Sequence, residues 1–229
     1  MGRPLQFSAL EAARRLAQSD ARLAGVISQV GPFRISPRSG ISPFEVLTGS
    51  IIHQQLNGAA AAAIQERFRA LLDTRDGVDP KSVLRVSETR LRSVGLSRSK
   101  VAALKDLAAH AISGTVPTFA QLQRMNDEEI VEILTVIRGV GRWTVEMLLI
   151  FHLGRPDVLP VNDYGIRRGF ALVYSKRTLP SERTLARHAE KWRPFRSVAS
   201  WYLWRALELS PADLHAARRS CLADPPPTF

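Results

Sequence analysis

Ile137-Arg138-Gly139-Val140-Gly141-Arg142-Trp143-Thr144 is the stretch on which the reading of this chain turns. A helix predicted over 127–137 runs into Arg138, and a second begins at Arg142. Two glycines flanking one apolar residue permit a tight hairpin with backbone torsions that a side chain would obstruct. Val140 then plugs between the helices, while the N–H groups opening the second helix point outward. With the helix dipole they form an anion site suited to a nucleic-acid phosphate, and Arg138 and Arg142 add charge beside it. A dinucleotide-binding turn is disfavoured, because position 144 is Thr and the preceding segment is helical. A phosphate-binding P-loop fails as well, since no Gly-Lys-Ser/Thr follows. On spacing alone, a plain helix-turn-helix corner with glycine as a cap stays open.

Working outward, helix signals recur and strand signals hardly appear. Ser8-Ala9-Leu10-Glu11, Ser42-Pro43-Phe44-Glu45, Thr118-Phe119-Ala120-Gln121 and Asn126-Asp127-Glu128-Glu129 all read as helix-start signatures. Gly95 and Gly114 stand where C-terminal caps belong. The pattern predicts helices over 8–18, 20–29, 43–57, 58–73, 80–85, 88–94, 98–113, 119–125, 127–137, 142–153, 164–174, 182–192, 195–208 and 211–219. The Pro-rich end, Asp224 to Pro227, reads as frayed. The expectation is an all-α protein of two helical lobes flanking a cleft. A central bundle over 38–155 would carry the hairpin (about 127–153), and 1–37 with 156–229 would form the second lobe.

Composition narrows the class. The 229 residues are 45% hydrophobic and 23% charged, enough apolar material for a packed core and against disorder. The only cysteine, Cys221, excludes a disulfide framework or a four-thiolate iron–sulfur cluster held within this chain. No run of 18 apolar residues exists and the N-terminus lacks a secretory pattern, so no membrane is expected and a soluble intracellular chain is the default. Thirty-two basic residues against 21 acidic ones give +11, and only five of the basic residues are Lys. Arginine's planar fork matches phosphate oxygens, which favours a polyanionic partner. A soluble surface with Arg-rich codon usage is the competing reading. The five His (53, 110, 152, 188, 215) are scattered without a divalent-metal motif.

Beyond the second hairpin helix, Gly154 stops the helix, Pro156 and Pro160 stiffen a connector, and Asn162-Asp163 open the next helix at Tyr164. Asp163 reads locally as an N-cap. The alternative is a carboxylate at the mouth of a site, its negative charge favoured by helix N-terminal amides.

The hairpin octet, followed about twenty residues later by Leu159-Pro160-Val161-Asn162-Asp163-Tyr164, resembles the helix-hairpin-helix plus Gly/Pro-Asp signature of DNA glycosylases. Within that superfamily it is most similar to AlkA-type DNA-3-methyladenine glycosylase II. Ile51-Ile52-His53-Gln54-Gln55-Leu56, Gly95-Leu96-Ser97-Arg98-Ser99-Lys100-Val101 and Trp192-Arg193-Pro194-Phe195-Arg196-Ser197 agree with further family segments. The resemblance covers about 38–208. It implies base excision from double-stranded DNA carrying alkylated bases such as 3-methyladenine and 7-methylguanine. The base is flipped out of the duplex and water attacks with the help of Asp163.

It also implies a base pocket of Trp143, Met147, Tyr164 and Trp204, whose aromatic faces suit a cationic base. Met147 stands where larger relatives carry an aromatic residue. The implied DNA contacts are Gly139, Val140, Gly141, Arg142, Thr144 and Arg196, with His53 and Gln54 near the minor groove and Gln55 as the wedge. Relatives that cut the backbone carry Lys at position 143; Trp143 there implies no lyase step. Carbonyls of Thr135, Ile137 and Val140 would hold a structural Na+ or K+ in the hairpin. No other cofactor and no iron–sulfur cluster are expected. The helical region starts almost at once, so the N-terminal β-rich domain of larger AlkA-type members is expected to be absent. A monomer, cytoplasmic in a bacterium or nuclear in a eukaryote, completes the expectation. Another lesion (hypoxanthine or an oxidised base), or a non-catalytic DNA-binding role, remains the alternative.

Overall fold

The computed structural model describes residues 5–37, 40–72 and 77–223, with the side chains of 220–223 left aside. Among them every regular element is helical. The chain divides into two compact units, Arg38–Leu148 and Met1–Pro37 with Leu149–Phe229.

The Arg38–Leu148 unit holds α3 (Pro43–His53), α4 (Gly58–Leu72), α5 (Pro80–Arg85), α6 (Glu88–Ser93), α7 (Arg98–Ile112), α8 (Phe119–Leu122), α9 (Asp127–Thr135) and α10 (Arg142–Leu148). α7 lies at its centre, packed against α3, α5 and α6. Its stripe of Val101, Leu104, Leu107 and Ala108 is buried, as the three-and-four spacing requires. The other unit holds α1 (Ala9–Ser19), α2 (Ala21–Val30), α11 (Tyr164–Val173), α12 (Glu182–Ala189), α13 (Arg196–Ala206) and α14 (Pro211–Ala223). A π-helical turn, Leu149–Leu153, follows α10 in sequence. The Pro-rich end, Asp224 to Pro227, lies outside the described residues.

The caps explain most boundaries. Thr118 with Gln121, and Asn126 with Glu129, close as reciprocal capping boxes. At Ser8 and Ser42 only the hydroxyl half forms, because Glu11 turns to Arg15 and Glu45 to Arg69. The helix expected over 43–57 ends at His53 instead. Gln54 leaves the helical region (φ −53°, ψ 132°), Gln55 is left-handed (φ 56°), and Asn57 caps α4 through the Ala60 N–H.

A buried carboxylate ties the chain's first helices to its later ones. Asp20 is 3% exposed and caps α2 through Leu23 N–H. It also accepts from Tyr174 OH, from Trp192 Nε1 at 2.8 Å and from Lys191 Nζ at 2.9 Å, with His188 Nε2 at 3.2 Å. Burial alone would raise its pKa, but bonds from His188, Tyr174, Lys191 and Trp192 outweigh it and hold the carboxyl well below the usual range. Its stabilising contribution is complete above the ordinary aspartate pKa of about 3.9 and fades as pH falls toward the depressed folded value. Asp20→Ala strands several buried donors and is expected to cost about 3–5 kcal/mol in urea denaturation at pH 7. That difference should shrink steadily as titration proceeds below pH 4, where the wild-type carboxylate begins to lose its advantage over the variant.

Candidate active site and nucleic-acid interface

Asp163 is the N-cap of α11. Its Oδ1 accepts from the Ile166 N–H at 2.7 Å and from Trp204 Nε1 at 2.9 Å. Trp204, on α13, is stacked against Phe151 with ring centroids 5.6 Å apart. This pairing depends on two glycines. A Cβ on Gly165 would lie 2.9 Å from Trp204 Cδ1 and 3.1 Å from Asp163 Oδ1. A Cβ on Gly169, one turn on, would lie 2.2 Å from the Leu203 carbonyl oxygen. Gly165 thus gives the indole its place, and Gly169 lets the α11 and α13 backbones cross closely. Tyr164 is 62% exposed at the same helix start.

The connector into Asp163 is also fastened. Arg196 donates from Nε to Asp157 Oδ1 at 2.8 Å, and from a terminal nitrogen to Asp157 Oδ2 and to the Asp157 carbonyl. Arg193 shares the same carboxylate at 2.6 Å. Ser197 Oγ accepts from Val158 N–H at 2.9 Å. Asn162 donates from its side-chain amide to the Glu182 carboxylate. Arg196, expected as a DNA contact, spends its half-buried guanidinium on holding this connector.

In the other unit, Val140 is 3% exposed and fills the space between α9 and α10, as the hairpin reading requires. Gly139 has φ 79°, and a Cβ there would meet Ala103 Cβ at 3.0 Å. Gly141 differs: its φ is ordinary and a Cβ would have nothing within 4 Å. Nothing within reach inside the protein demands glycine at 141. The hairpin is anchored by Asp106, whose Oδ2 accepts from Arg138 N–H at 2.8 Å, and by Gln54, whose Nε2 donates to the Gly139 carbonyl at 2.8 Å.

Arg142 makes a two-pronged pair with Glu128 at 2.7 and 3.1 Å, both side chains being largely exposed. That bond raises the arginine's pKa and lowers the glutamate's. Thr144 is buried, so only its backbone could face a phosphate. Trp143 is 44% exposed on the first turn of α10, with Met147 one turn further along the same face. His53 Nε2 lies 2.8 Å from Gln65 Oε1, and Gln55 is exposed at the tip of the α3–α4 turn.

The expected cation carbonyls fit a monovalent ion in chemistry. Ile137 O accepts the Val140 N–H, while those of Thr135 and Val140 have no backbone donor among the described residues. An ion held there would stiffen the hairpin. Among the described residues no cluster of three or more His, Cys, Asp or Glu is placed to bind a metal.

Asp106, Asp20 and the Gly165/Gly169 pair escaped the sequence reading. Only the glycine pair left a local trace, two glycines four residues apart in a helix.

A model of the HhH-GPD superfamily of base excision DNA repair proteins matches residues 48–194. DNA-3-methyladenine glycosylase 1 of Schizosaccharomyces pombe is 36% identical over 189 residues, covering 82% of each chain. The structure of the S. pombe 3-methyladenine DNA glycosylase in complex with abasic DNA superposes with a TM-score of 0.79 at 35% identity, covering 87% of this chain and 98% of that one. A DNA-3-methyladenine glycosidase from Bacillus halodurans gives 0.76 at 34% identity, covering 85% and 88%.

Gly165→Ala is expected to push the indole off Asp163, which intrinsic tryptophan fluorescence would register in a protein that remains folded. Gly169→Ala drives a methyl into backbone and should destabilise by about 3 kcal/mol or more in thermal melts.

Proposed function

Because the chain belongs to the HhH-GPD superfamily of base excision DNA repair proteins, we propose that it is a monofunctional DNA-3-methyladenine glycosylase. It hydrolyses the N-glycosidic bond of alkylated bases in double-stranded DNA and leaves an abasic site. The observation that carries the reading is the Asp163 carboxylate, fixed at a helix start by Ile166 N–H and the Trp204 indole. The relatives named for this activity match over most of the chain.

Departure of the base develops positive charge on the deoxyribose. A carboxylate whose plane is set by two donors stabilises that charge without reorganising as the bond breaks. Alkylation on a ring nitrogen already makes the base a cationic, labile leaving group, so little acid assistance is needed. Tyr164, exposed at the same helix start, and Trp204, bonded to the carboxylate, supply aromatic faces for that cation. Trp143 carries no amine, so no Schiff base forms and water is the nucleophile. Strand grip comes from the outward amides at the start of α10, where Gly141 admits a phosphate closely.

Asp163→Asn keeps an oxygen for both donors but removes the charge. It is expected to lower release of 3-methyladenine and 7-methylguanine from methylated duplex by about a thousandfold or more, while abasic-duplex binding stays within about threefold. Persistent excision by this variant would remove the catalytic assignment. Borohydride treatment during turnover should trap no covalent protein–DNA adduct. Gly141→Ala, which meets no internal obstacle, should melt like wild type yet bind duplex about tenfold more weakly, since one phosphate contact is pushed away.

A further inference from the structure

The turn between α3 and α4 is built unlike an ordinary helix end. Gln55 occupies the left-handed region at φ 56°, where an L side chain is disfavoured and glycine or asparagine is usual. Such a conformation persists only where its surroundings over-determine it. Here three bonds do so. Lys100 Nζ donates to Ile52 O at 2.7 Å, His53 Nε2 meets Gln65 Oε1 at 2.8 Å, and Gln54 Nε2 donates to Gly139 O at 2.8 Å. The turn closes with Leu56 N–H on His53 O.

Only one of these bonds leaves the neighbourhood of the turn for the hairpin. Gly139 O and Val140 N belong to one peptide group. Gln54 holds its oxygen and Ile137 O accepts its N–H at 3.0 Å. The plane of that peptide is therefore fixed at both ends. The peptide that follows it presents the N–H of Gly141, at the position where bare backbone faces outward. A single side chain thus connects the residue at the tip of the α3–α4 turn to the amides that would grip a phosphate.

We propose that Gln54 is a positioning residue that couples the hairpin's hold on the DNA strand to insertion of Gln55 into the base stack. One of its amide donors is held inside the protein by the Gly139 carbonyl. When the hairpin seats on a phosphate, the Gly139 carbonyl fixes Gln54, and Gln54 fixes the adjoining Gln55 in its left-handed, outward posture. The inference rests on the glycosylase reading for its final readout, but not for the coupling itself.

The test compares wild type, Gln54→Ala and Gln54→Lys, the last restoring a donor toward Gly139 O. Single-turnover excision is measured on a methylated base in a fully paired duplex and on the same base in a one-nucleotide bulge, where extrusion demands little. Unstacking is followed by 2-aminopurine fluorescence beside the target in an unmethylated duplex. Removing one hydrogen bond is expected to slow paired-duplex excision about fivefold to tenfold. The bulge should stay within about twofold, the 2-aminopurine rise should fall in parallel, and Gln54→Lys should recover most of both. Equal losses on the two substrates, losses that follow only the folded fraction, or no loss at all would each overturn the coupling. If the wild-type protein releases base from neither substrate, the glycosylase reading fails by itself. The 2-aminopurine response of the variants then decides the coupling alone.

Discussion

The close crossing of α11 and α13 is the constraint from which the candidate site follows. Gly169 allows the α11 backbone to lie against Leu203 O, and Gly165 leaves the space that the Trp204 indole occupies. With that ring in place, its N–H reaches Asp163 Oδ1, and Phe151 packs against it. A methyl group at either glycine would separate the helices or displace the ring. The carboxylate's orientation is thus set by what two residues lack.

The same geometry removes an opposition that local sequence creates. An Asp before a helix reads either as a cap or as a functional carboxylate. Here Oδ1 caps α11 through Ile166 N–H and accepts the indole N–H at once. Capping fixes the side chain's torsion, and the indole fixes its plane. The structural role supplies the rigidity that the proposed chemical role requires.

Helix positions were legible because capping chemistry is local: Ser8, Asp20, Ser42, Ser97, Thr118, Asn126 and Asp163 each bond an N–H three residues on. The hairpin was legible too, since Gly139 needs a positive φ and Val140 must be buried. The end of α3 was not. His53-Gln54-Gln55-Leu56 contains no breaker, and the break comes from partners at positions 65, 100 and 139. The surplus of arginine favoured a polyanionic partner, but which arginines bond inside the protein, as Arg142 does to Glu128 and Arg196 to Asp157, is not written in a charge count. Asp20, the N-cap of α2, gathers its side-chain partners from more than 150 residues away. Pairing across such distances leaves no trace in spacing.

These paired arginines bear on how the strand would be held. At the hairpin Arg142 is engaged by Glu128, while the N–H groups opening α10 carry no counterion and need no desolvation of a full charge to grip a phosphate. A grip of that kind reads phosphate position and not base identity. Selection among bases then falls to the aromatic faces and to the substrate's own lability. In the proposed reaction the charge of Asp163 acts through space on a cationic sugar. A site of this proposed design suits bases that alkylation has already made ready to leave.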